Sequence, residues 1–382
     1  MPLQSAFTLN PNDIFASIGN MIISQEVYAD NLGKHQTLVD KGRVDGSLFG
    51  DKKLYYATDI LKTHAWLNDS EAGNLLSIDR PDDPEVQDIT LDVFRQIRLT
   101  VDNYLTKRAW SDEGSFSAFN SVMLGWMRET KRVYDGTLYN VYIGCTETST
   151  GEQSQTVTLS GTNDGQTIAE KVANILVAMG DYSRDYNDYQ FMRSYSPGDV
   201  KAVWNSKFVN KIRKVDTPTI FHREGLVDKL DEDVLPAKYF GTIITSSNIS
   251  SYSDSTPAPG KPIDSDNNQY TPGSNNVNGT LRAAVEKEVT VGGNDYHLFP
   301  GEEIPSGATI VASGNFEPGE VYIEDPKVIC KLLVRWVPYM SAFEVGTSFF
   351  NPRSLTENHY LTFGHNTLEY LKNYPFVTLK QA

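Results

Sequence analysis

The chain has 382 residues, of which 39% are hydrophobic and 11% aromatic, and its formal net charge at pH 7 is −15. This composition is typical of a folded protein and excludes an intrinsically disordered chain. The length exceeds the roughly 250–300 residues at which one hydrophobic core stops growing, so we expect two compact lobes with extended excursions. A sequence-specific nucleic-acid binder presents a basic face, and the acidic balance argues against that class of protein.

The cysteines and the hydropathy pattern indicate the cellular compartment in which the protein is made. Cys145 and Cys330 each lie in an apolar run, which predicts small buried residues with reduced thiols and no disulfide framework. Residues 1–15 contain no basic segment followed by an apolar one, and no stretch reaches the roughly 18–20 apolar residues of a membrane span. We expect a protein made in a cytoplasm, with no export signal and no membrane partner.

The N-terminal residues 1–50 are weakly patterned, and an independent domain needs a denser core than they offer. They predict an arm that docks on another structure.

Residues 89–102 alternate between apolar and polar side chains and predict one long strand of roughly 45 Å. Its apolar face consists of Ile89, Leu91, Val93, Ile97, Leu99 and Val101. A strand of this length predicts a protruding hairpin, with residues 52–67 as the return strand and a neighbouring subunit covering the apolar face. The alternative is two shorter strands joined by a bulge near Arg95 within one sheet.

Residues 111–135 predict a long helix, which begins at Ser111 and ends at Asp135 and Gly136. Its length of roughly 36 Å spans a domain, so it is interpreted as a spine helix. The residues predicted to face the core are Phe116, Phe119, Met123 and Trp126. A strand is predicted to follow at 138–145.

Strands and helices then alternate, which indicates a mixed α+β lobe. A helix is predicted at 167–182, a strand at 200–205 and a short basic helix at 206–214. The buried stripe of the first helix comprises Ile168, Val172, Ile175, Leu176 and Met179. The basic patch comprises Lys207, Lys211, Arg213 and Lys214. It predicts contact with an acidic surface of a neighbouring subunit or with phosphate, and a plain exposed helix is the alternative.

The region 245–280 is rich in Ser, Asn, Asp, Gly and Pro and predicts a long surface excursion. Residues 328–337 predict an apolar strand that only Lys331 and Arg335 interrupt. Residues 356–380 predict further strand material.

Catalytic signatures are missing from the sequence: it has no phosphate-binding Gly-Lys-Ser/Thr loop, no His-Glu-x-x-His, no Cys-x-x-Cys and no Gly-x-Ser-x-Gly. His359 and His365 have the spacing to share one face of a strand. A glycosidase needs two catalytic carboxylates, and two acidic clusters are the candidates. One comprises Asp181, Asp185 and Asp188, and the other comprises Asp228, Asp231, Glu232 and Asp233. We interpret the second cluster as a solvated face or a helix start, and we predict no catalytic residue, no metal site and no cofactor.

The order of arm, long hairpin, spine helix, mixed lobe and returning strands resembles the HK-97-like major capsid protein fold of tailed phages. Three short runs are also similar to major head proteins of small podophages that infect Gram-positive bacteria: SAFTLNPND at 5–13, PTIFHREG at 218–225 and LPAKYF at 235–240.

The resemblance implies an α+β fold with four parts. These are an N-terminal arm at 1–50, an extended E-loop region at 51–110, a P-domain at 111–145 and 326–382, and an A-domain at 146–325. The excursion at 245–280 departs from the minimal family pattern and suggests an insertion in the A-domain. Some relatives crosslink a lysine to an asparagine between subunits, but no such pair is identified in this sequence.

The resemblance also implies a function: self-assembly into pentamers and hexamers that form the icosahedral head in the virion, built in the host cytoplasm. The implied partners are further copies of the chain, a portal, scaffolding or head-decoration proteins, and packaged double-stranded DNA held without sequence-specific binding. The alternatives are another virion structural protein (tail, baseplate or receptor-binding) and, less favoured, a phage glycosidase. The long spine helix argues against the first, because tail proteins of that kind are dominated by sandwich strands.

Overall fold

The computed structural model describes residues 37–46, 51–66, 80–102, 113–161, 163–213, 230–248, 253–254, 269–270, 280–305, 307–310 and 314–382, and for some of these the backbone alone. Most of the predicted arm and of the excursion at 245–280 therefore lies outside the described residues. The same holds for the runs at 5–13 and 218–225.

Four α-helices occur within the described residues: α1 (Leu38–Gly42), α2 (Glu113–Cys145), α3 (Asp164–Gly180) and α4 (Ser206–Arg213). Short 3-10 turns lie at Pro197–Asp199 and Ala237–Tyr239. The predicted helices at 167–182 and 206–214 are confirmed as α3 and α4, with α3 starting three residues earlier. None of the described helices is long and apolar enough to cross a membrane.

Helix α2 continues through Asp135 and Gly136 to Cys145, so the predicted helix end and the predicted strand at 138–145 are wrong. The Asp135 carboxylate is buried and accepts hydrogen bonds from the Lys131 ammonium at 2.7 Å and the Tyr339 hydroxyl at 2.7 Å. Because this carboxylate is neutralised inside the protein, it does not end the helix. Burial of the Tyr- and Val-rich segment that follows outweighs its intrinsic preference for strand.

The strands, in chain order, are β1 (Arg43–Asp45), β2 (Lys52–Ala57), β3 (Glu85–Asp102), β4 (Ser154–Val157), β5 (Lys201–Asn205), β6 (Asp231–Leu235), β7 (Gly241–Ile243), β8 (Ser253–Asp254), β9 (Gln269–Tyr270), β10 (Leu281–Ala283), β11 (Lys287–Val291), β12 (Asn294–Leu298), β13 (Val321–Glu324), β14 (Val328–Leu333), β15 (Tyr339–Asn351), β16 (Thr356–Asn366) and β17 (Phe376–Gln381). The predicted strand at 328–337 is thus shorter, and the predicted strand material at 356–380 forms two strands.

One compact unit comprises the described parts of 1–52, 90–139 and 339–367. The main sheet has the strand order β1-β15-β16-β3-β2. Strand β3 is a single strand of 18 residues, which contradicts the alternative of two shorter strands. Its predicted neighbour at 52–67 is confirmed for β2, but its long antiparallel ladder is formed with β16, from Leu91↔Asn366 to Asp102↔Thr356.

The second unit comprises the described parts of 53–89, 140–338 and 368–382. Its larger sheet has the order β4-β17-β14-β5-β6, and the predicted stripe of α3 is fully inside the core beside this sheet. Core residues that surround the stripe include Ala202, Trp204, Leu332, Val377 and Leu379. A second hydrophobic core lies beneath the small sheet β10-β13-β7 and the hairpin β11–β12.

Both cysteines are buried and free, as predicted. Burial raises the pKa of the Cys145 and Cys330 thiols well above their usual range, so both stay protonated.

Lys331 is a fully buried lysine in β14, the central strand of the larger sheet of the second unit. Its ammonium donates hydrogen bonds to the Thr146 carbonyl oxygen at 2.8 Å and to Thr378 Oγ1 at 3.0 Å. Loss of hydration lowers the pKa of Lys331 to about 8, although the nearby Glu147 carboxylate opposes the shift. At neutral pH the charged form of Lys331 is therefore less favoured in the folded chain than in the unfolded chain.

We expect the variant Lys331→Met to be more stable than the parent chain at neutral pH. The pKa of Lys331 in the folded chain lies below its ordinary value of 10.5. The free energy of unfolding of the parent chain is therefore highest, with respect to this residue, above pH 10.5, and it decreases as the pH falls from there toward 8. The gain in unfolding free energy should therefore be smaller by about 2 kcal/mol at pH ~9.5 than at neutral pH. Urea unfolding at the two pH values tests this.

The matched control is Lys327→Met, because Lys327 is exposed. It should leave the unfolding free energy within about 0.5 kcal/mol at both pH values. A gain from Lys331→Met that does not change with pH contradicts the prediction.

Candidate functional site

The surface that the sequence assigns to subunit contacts lies on three long strands. We call residues 91–102 of β3, 345–351 of β15 and 356–366 of β16 the ribbon. The register sets Leu99 opposite His359 and His359 opposite Ser348, so alternate positions of all three strands share a face. The ribbon therefore has one face of mainly apolar β3 residues and one face of mainly polar residues.

The apolar face is partly covered within the chain. Ile89, Leu91 and Val101 are buried, whereas Val93, Ile97 and Leu99 are half-buried. Leu99 and the predicted spine-helix residue Trp126 pack against Val101. Helix α2 thus covers part of the face, and Val93, Ile97 and Leu99 keep part of their apolar area exposed. The assignment of all six residues to an inter-subunit contact stays a prediction.

The opposite face of the ribbon carries polar side chains that bridge neighbouring strands. Thr100 Oγ1 donates a hydrogen bond to Asn358 Oδ1 at 2.7 Å, and Gln96 Nε2 donates one to Thr362 Oγ1 at 3.0 Å. Asp92 accepts hydrogen bonds from both the backbone N–H and the hydroxyl of Thr367, at 2.7 and 2.8 Å. These contacts fix the register of β3 against β16 from the exposed side.

A buried polar network lies on the helix side of the sheet. The Lys131 ammonium is 2.7 Å from the Asp135 carboxylate, and both side chains are more than nine-tenths buried. The Tyr339 ring stacks on His365, whose Nε2 lies 2.8 Å from the Tyr134 hydroxyl and whose Nδ1 lies 2.8 Å from the Asn366 carbonyl oxygen. This network ties helix α2 to β15 and β16.

We expect Asp135→Asn to lower the unfolding free energy by about 3–5 kcal/mol, because it leaves the buried Lys131 ammonium without a counter-charge. The double variant K131M/D135N removes that charge and keeps an oxygen that accepts from Tyr339. It should cost much less than the single variant in urea unfolding. Equal losses in the two variants would show that the buried charge is not the cause.

The structure does not describe the side chains of several predicted site residues. Phe116, Phe119 and Met123 lie in residues 113–124 of α2, for which only the backbone is described. The same holds for Lys211 and Arg213 at the end of α4, and Lys214 is outside the described residues. Lys207 is exposed, beside Phe208 and Val209, which are buried in the core. The basic patch therefore stays a prediction, supported for Lys207 by its exposure.

The acidic cluster at 181–188 does not converge on one point. Asp181 and Asp185 line an open cavity of about 420 Å³, whereas Asp188 is not among its lining residues. Asp188 Oδ1 accepts hydrogen bonds from Thr148 at 3.1 Å and Gln153 at 2.8 Å, and its other oxygen accepts from the Tyr370 hydroxyl. Both oxygens of the Asp188 carboxylate thus accept structural hydrogen bonds.

The second acidic cluster lies on an edge strand. Asp231, Glu232 and Asp233 form the first three residues of β6, at the end of the larger sheet of the second unit; Asp228 is outside the described residues. Charged residues on an edge strand discourage pairing with another chain. The run is therefore a solvated strand, and the expectation of a possible helix start is wrong.

The two histidines with spacing for a shared face have separate surroundings. His365 contacts Tyr134, Tyr339 and Asn366, and burial lowers its pKa below the ordinary value. His359 Nε2 lies 4.0 Å from the Glu357 carboxylate. Within the described part of the chain, no group of three or more His, Cys, Asp or Glu side chains is placed to hold a metal ion.

The outer half of β15, which forms the edge of the ribbon, was not predicted from the sequence. Residues 345–350 are all exposed, and they include Val345, Phe349 and Phe350. An alternation of β-branched and aromatic residues with small ones runs through this segment and is the signal that predicts a strand.

Comparison with known proteins gives a likeness of fold. No protein-family model and no curated protein matches the sequence. A chain in the capsid structure of Staphylococcus phage Andhra matches 88% of this chain and 82% of its own length, with a TM-score of 0.53 and 11% identity. A chain in the structure of head fiber and inner core protein gp22 of native bacteriophage P68 matches 88% of this chain and 83% of its own, with a TM-score of 0.55 and 12% identity.

The chain therefore shares its fold with chains in bacteriophage virion structures, one of them a capsid structure. The prediction of an HK-97-like α+β fold is confirmed.

Proposed function

We propose that the chain is the major capsid protein of a tailed bacteriophage of podophage type, a structural subunit and not an enzyme. Its copies form pentamers and hexamers, and these build the icosahedral head around double-stranded DNA. The observation that carries the proposal is the fold shared with a chain of a phage capsid structure over 88% of this chain. The three short runs at 5–13, 218–225 and 235–240 support the podophage type.

In this proposal the parts of the chain keep the roles that the resemblance implies. Residues 1–50 are an arm that holds a neighbour, and 51–110 are the E-loop region. The P-domain is 111–145 with 326–382, and the A-domain is 146–325 with its insertion at 245–280. A closed shell contains many copies of each contact, so modest individual interfaces suffice.

The E-loop region contains a segment that is fixed at its base. Segment 58–66 follows β2 without regular structure. The Asp59 carboxylate accepts hydrogen bonds from Arg184 at 2.6 Å and from the Met192 N–H at 3.0 Å, and Arg193 donates to the Thr58 carbonyl oxygen. These bonds hold the start of the segment against the loop at 183–193.

Beyond that base, the segment exposes large apolar side chains. Ile60, Leu61 and Trp66 are exposed to 57%, 74% and 93% of their full area. A cluster of exposed apolar side chains on one short segment indicates a protein contact. In the proposed shell a neighbouring subunit covers them.

The net charge of −15 suits a wall that encloses DNA without binding its sequence. Phosphates are repelled, so confinement and not adhesion holds the genome. A portal and scaffolding or head-decoration proteins are the further partners of such a shell, which is assembled in the host cytoplasm and found in the virion.

Negative-stain microscopy and light scattering of the purified full chain test the proposal, and we expect rings or shells. The variant L61S/W66S should need a more than tenfold higher protein concentration to assemble, because each side chain loses about 1.5–3 kcal/mol of burial in the contact. Tyr182→Ser is the control, since Tyr182 is 75% exposed but lies outside the E-loop region. A chain that stays monomeric at high concentration overturns the proposal.

A further inference from the structure

The outer half of β15 is an edge strand with one described neighbour. Residues 345–351 pair with β16 on one side, whereas β1 pairs only with the inner end of β15, at Tyr339 to Ser341. Among the residues that the structure describes, no strand lies along the other side of 345–351. Within the described part of the chain, no strand pairs with the backbone donors and acceptors on that side.

The chemistry of this edge favours pairing with another strand. Segment 345–351 contains no charged residue and no proline, and Val345, Phe349 and Phe350 are exposed to 39%, 61% and 48%. Edge strands of lone proteins are usually protected by charge or proline, as β6 is by Asp231, Glu232 and Asp233. An uncharged segment of β-branched and aromatic residues is a template for a further strand.

The sequence of the edge is complementary to itself. When two identical strands pair antiparallel about a two-fold axis normal to the sheet, each residue faces one of the same parity on the other copy. In the register centred on Ser348, Phe350 faces Gly346 of the second copy, and Phe349 faces Thr347 of that copy. The position of a Cβ on Gly346 has nothing within 4 Å, so it has room for a ring.

The ribbon already contains a pair of this kind. Phe94 of β3 is the direct partner of Gly364 of β16, and the Phe94 ring lies 2.9 Å from the position of the Cβ that Gly364 lacks. An aromatic ring thus fills the space over a cross-strand glycine within this sheet. In the symmetric pair, Phe350 of each copy lies over Gly346 of the other copy, so the same arrangement occurs twice.

We propose that residues 345–351 of β15 pair antiparallel with the same segment of a second copy, in the register centred on Ser348, and so join two ribbons into one continuous sheet. The pairing explains why the outer half of β15 carries no charge, in contrast to the edge strand β6. This pairing rests on the proposed function, because the shell brings many copies of the chain together. The specific contact between two β15 strands is not required by that function.

Disulfide trapping tests the register. The native cysteines are both buried and free, so a new surface cysteine is the reactive one. We expect Ser348→Cys to give covalent dimers on oxidation, because position 348 faces itself across the axis. Thr347→Cys, one residue away on the other face, and Ser354→Cys, in the exposed turn that follows, should give at least tenfold less dimer.

A second variant tests whether the pairing contributes to assembly. Ser348→Lys sets two like charges opposite each other and should raise the concentration needed for assembly about tenfold. Ser354→Lys adds the same charge at the turn and should assemble as the parent does.

The outcomes separate the two proposals. Shells that form with Ser348→Cys but contain no covalent dimer overturn the pairing and leave the capsid function standing; a different occupant of the edge, such as residues 1–36 or another protein, gives this result. If no shells form, the capsid function fails, and a Ser348→Cys dimer in solution still supports the pairing. Dimers of Thr347→Cys in place of Ser348→Cys overturn the proposed register.

Discussion

The antiparallel ladder between β3 and β16 is the interaction on which the rest of the first unit depends. It joins residues 91–102 to residues 356–366, which are far apart in the chain. Closing so large a loop costs conformational entropy, and the cost is offset only when the whole ladder and its buried face form together. Without the ladder, helix α2 has no apolar surface against which Trp126 can pack, and β15 has no strand to hold its outer half.

The buried side chains beneath the sheet determine which arrangement the ladder adopts. The pair Lys131 and Asp135 is enclosed, and Tyr339 and His365 link it to β15 and β16. Buried ionic groups of this kind add little net stability compared with apolar replacements, but they penalise every arrangement in which one partner is left alone. They therefore hold the helix and the ribbon in one register, and the proposed assembly from identical copies would require such a fixed register.

Two edge strands of the described sheets, β6 and the outer half of β15, show how the same backbone chemistry serves opposite purposes. Strand β6 carries three consecutive acidic residues, and hydration of these charges opposes pairing with another chain. The outer half of β15 carries none and exposes aromatic rings instead. A lone protein with such an edge risks aggregation, whereas in the proposed pairing a second copy covers it. The exposed segment 58–66 also presents apolar side chains at the surface. Hydrogen bonds that involve charged groups fix its base, and its apolar side chains beyond the base are exposed.

Local periodicity in the sequence was sufficient to predict several elements. The buried stripe of α3 and the alternation of β3 depend only on residues a few positions apart. The fold was predicted from a resemblance, which rested on the order of elements together with the three short runs at 5–13, 218–225 and 235–240. Other features depend on contacts between residues that are distant in the chain. Asp135 ends no helix because Lys131 and Tyr339 neutralise and bury it, β3 takes its main partner from near the C-terminus, and Lys331 occupies a central strand. The edge at 345–351 exists only because β16 pairs with one side of it. Non-local pairing and burial made these choices, and no short window of sequence contains that information.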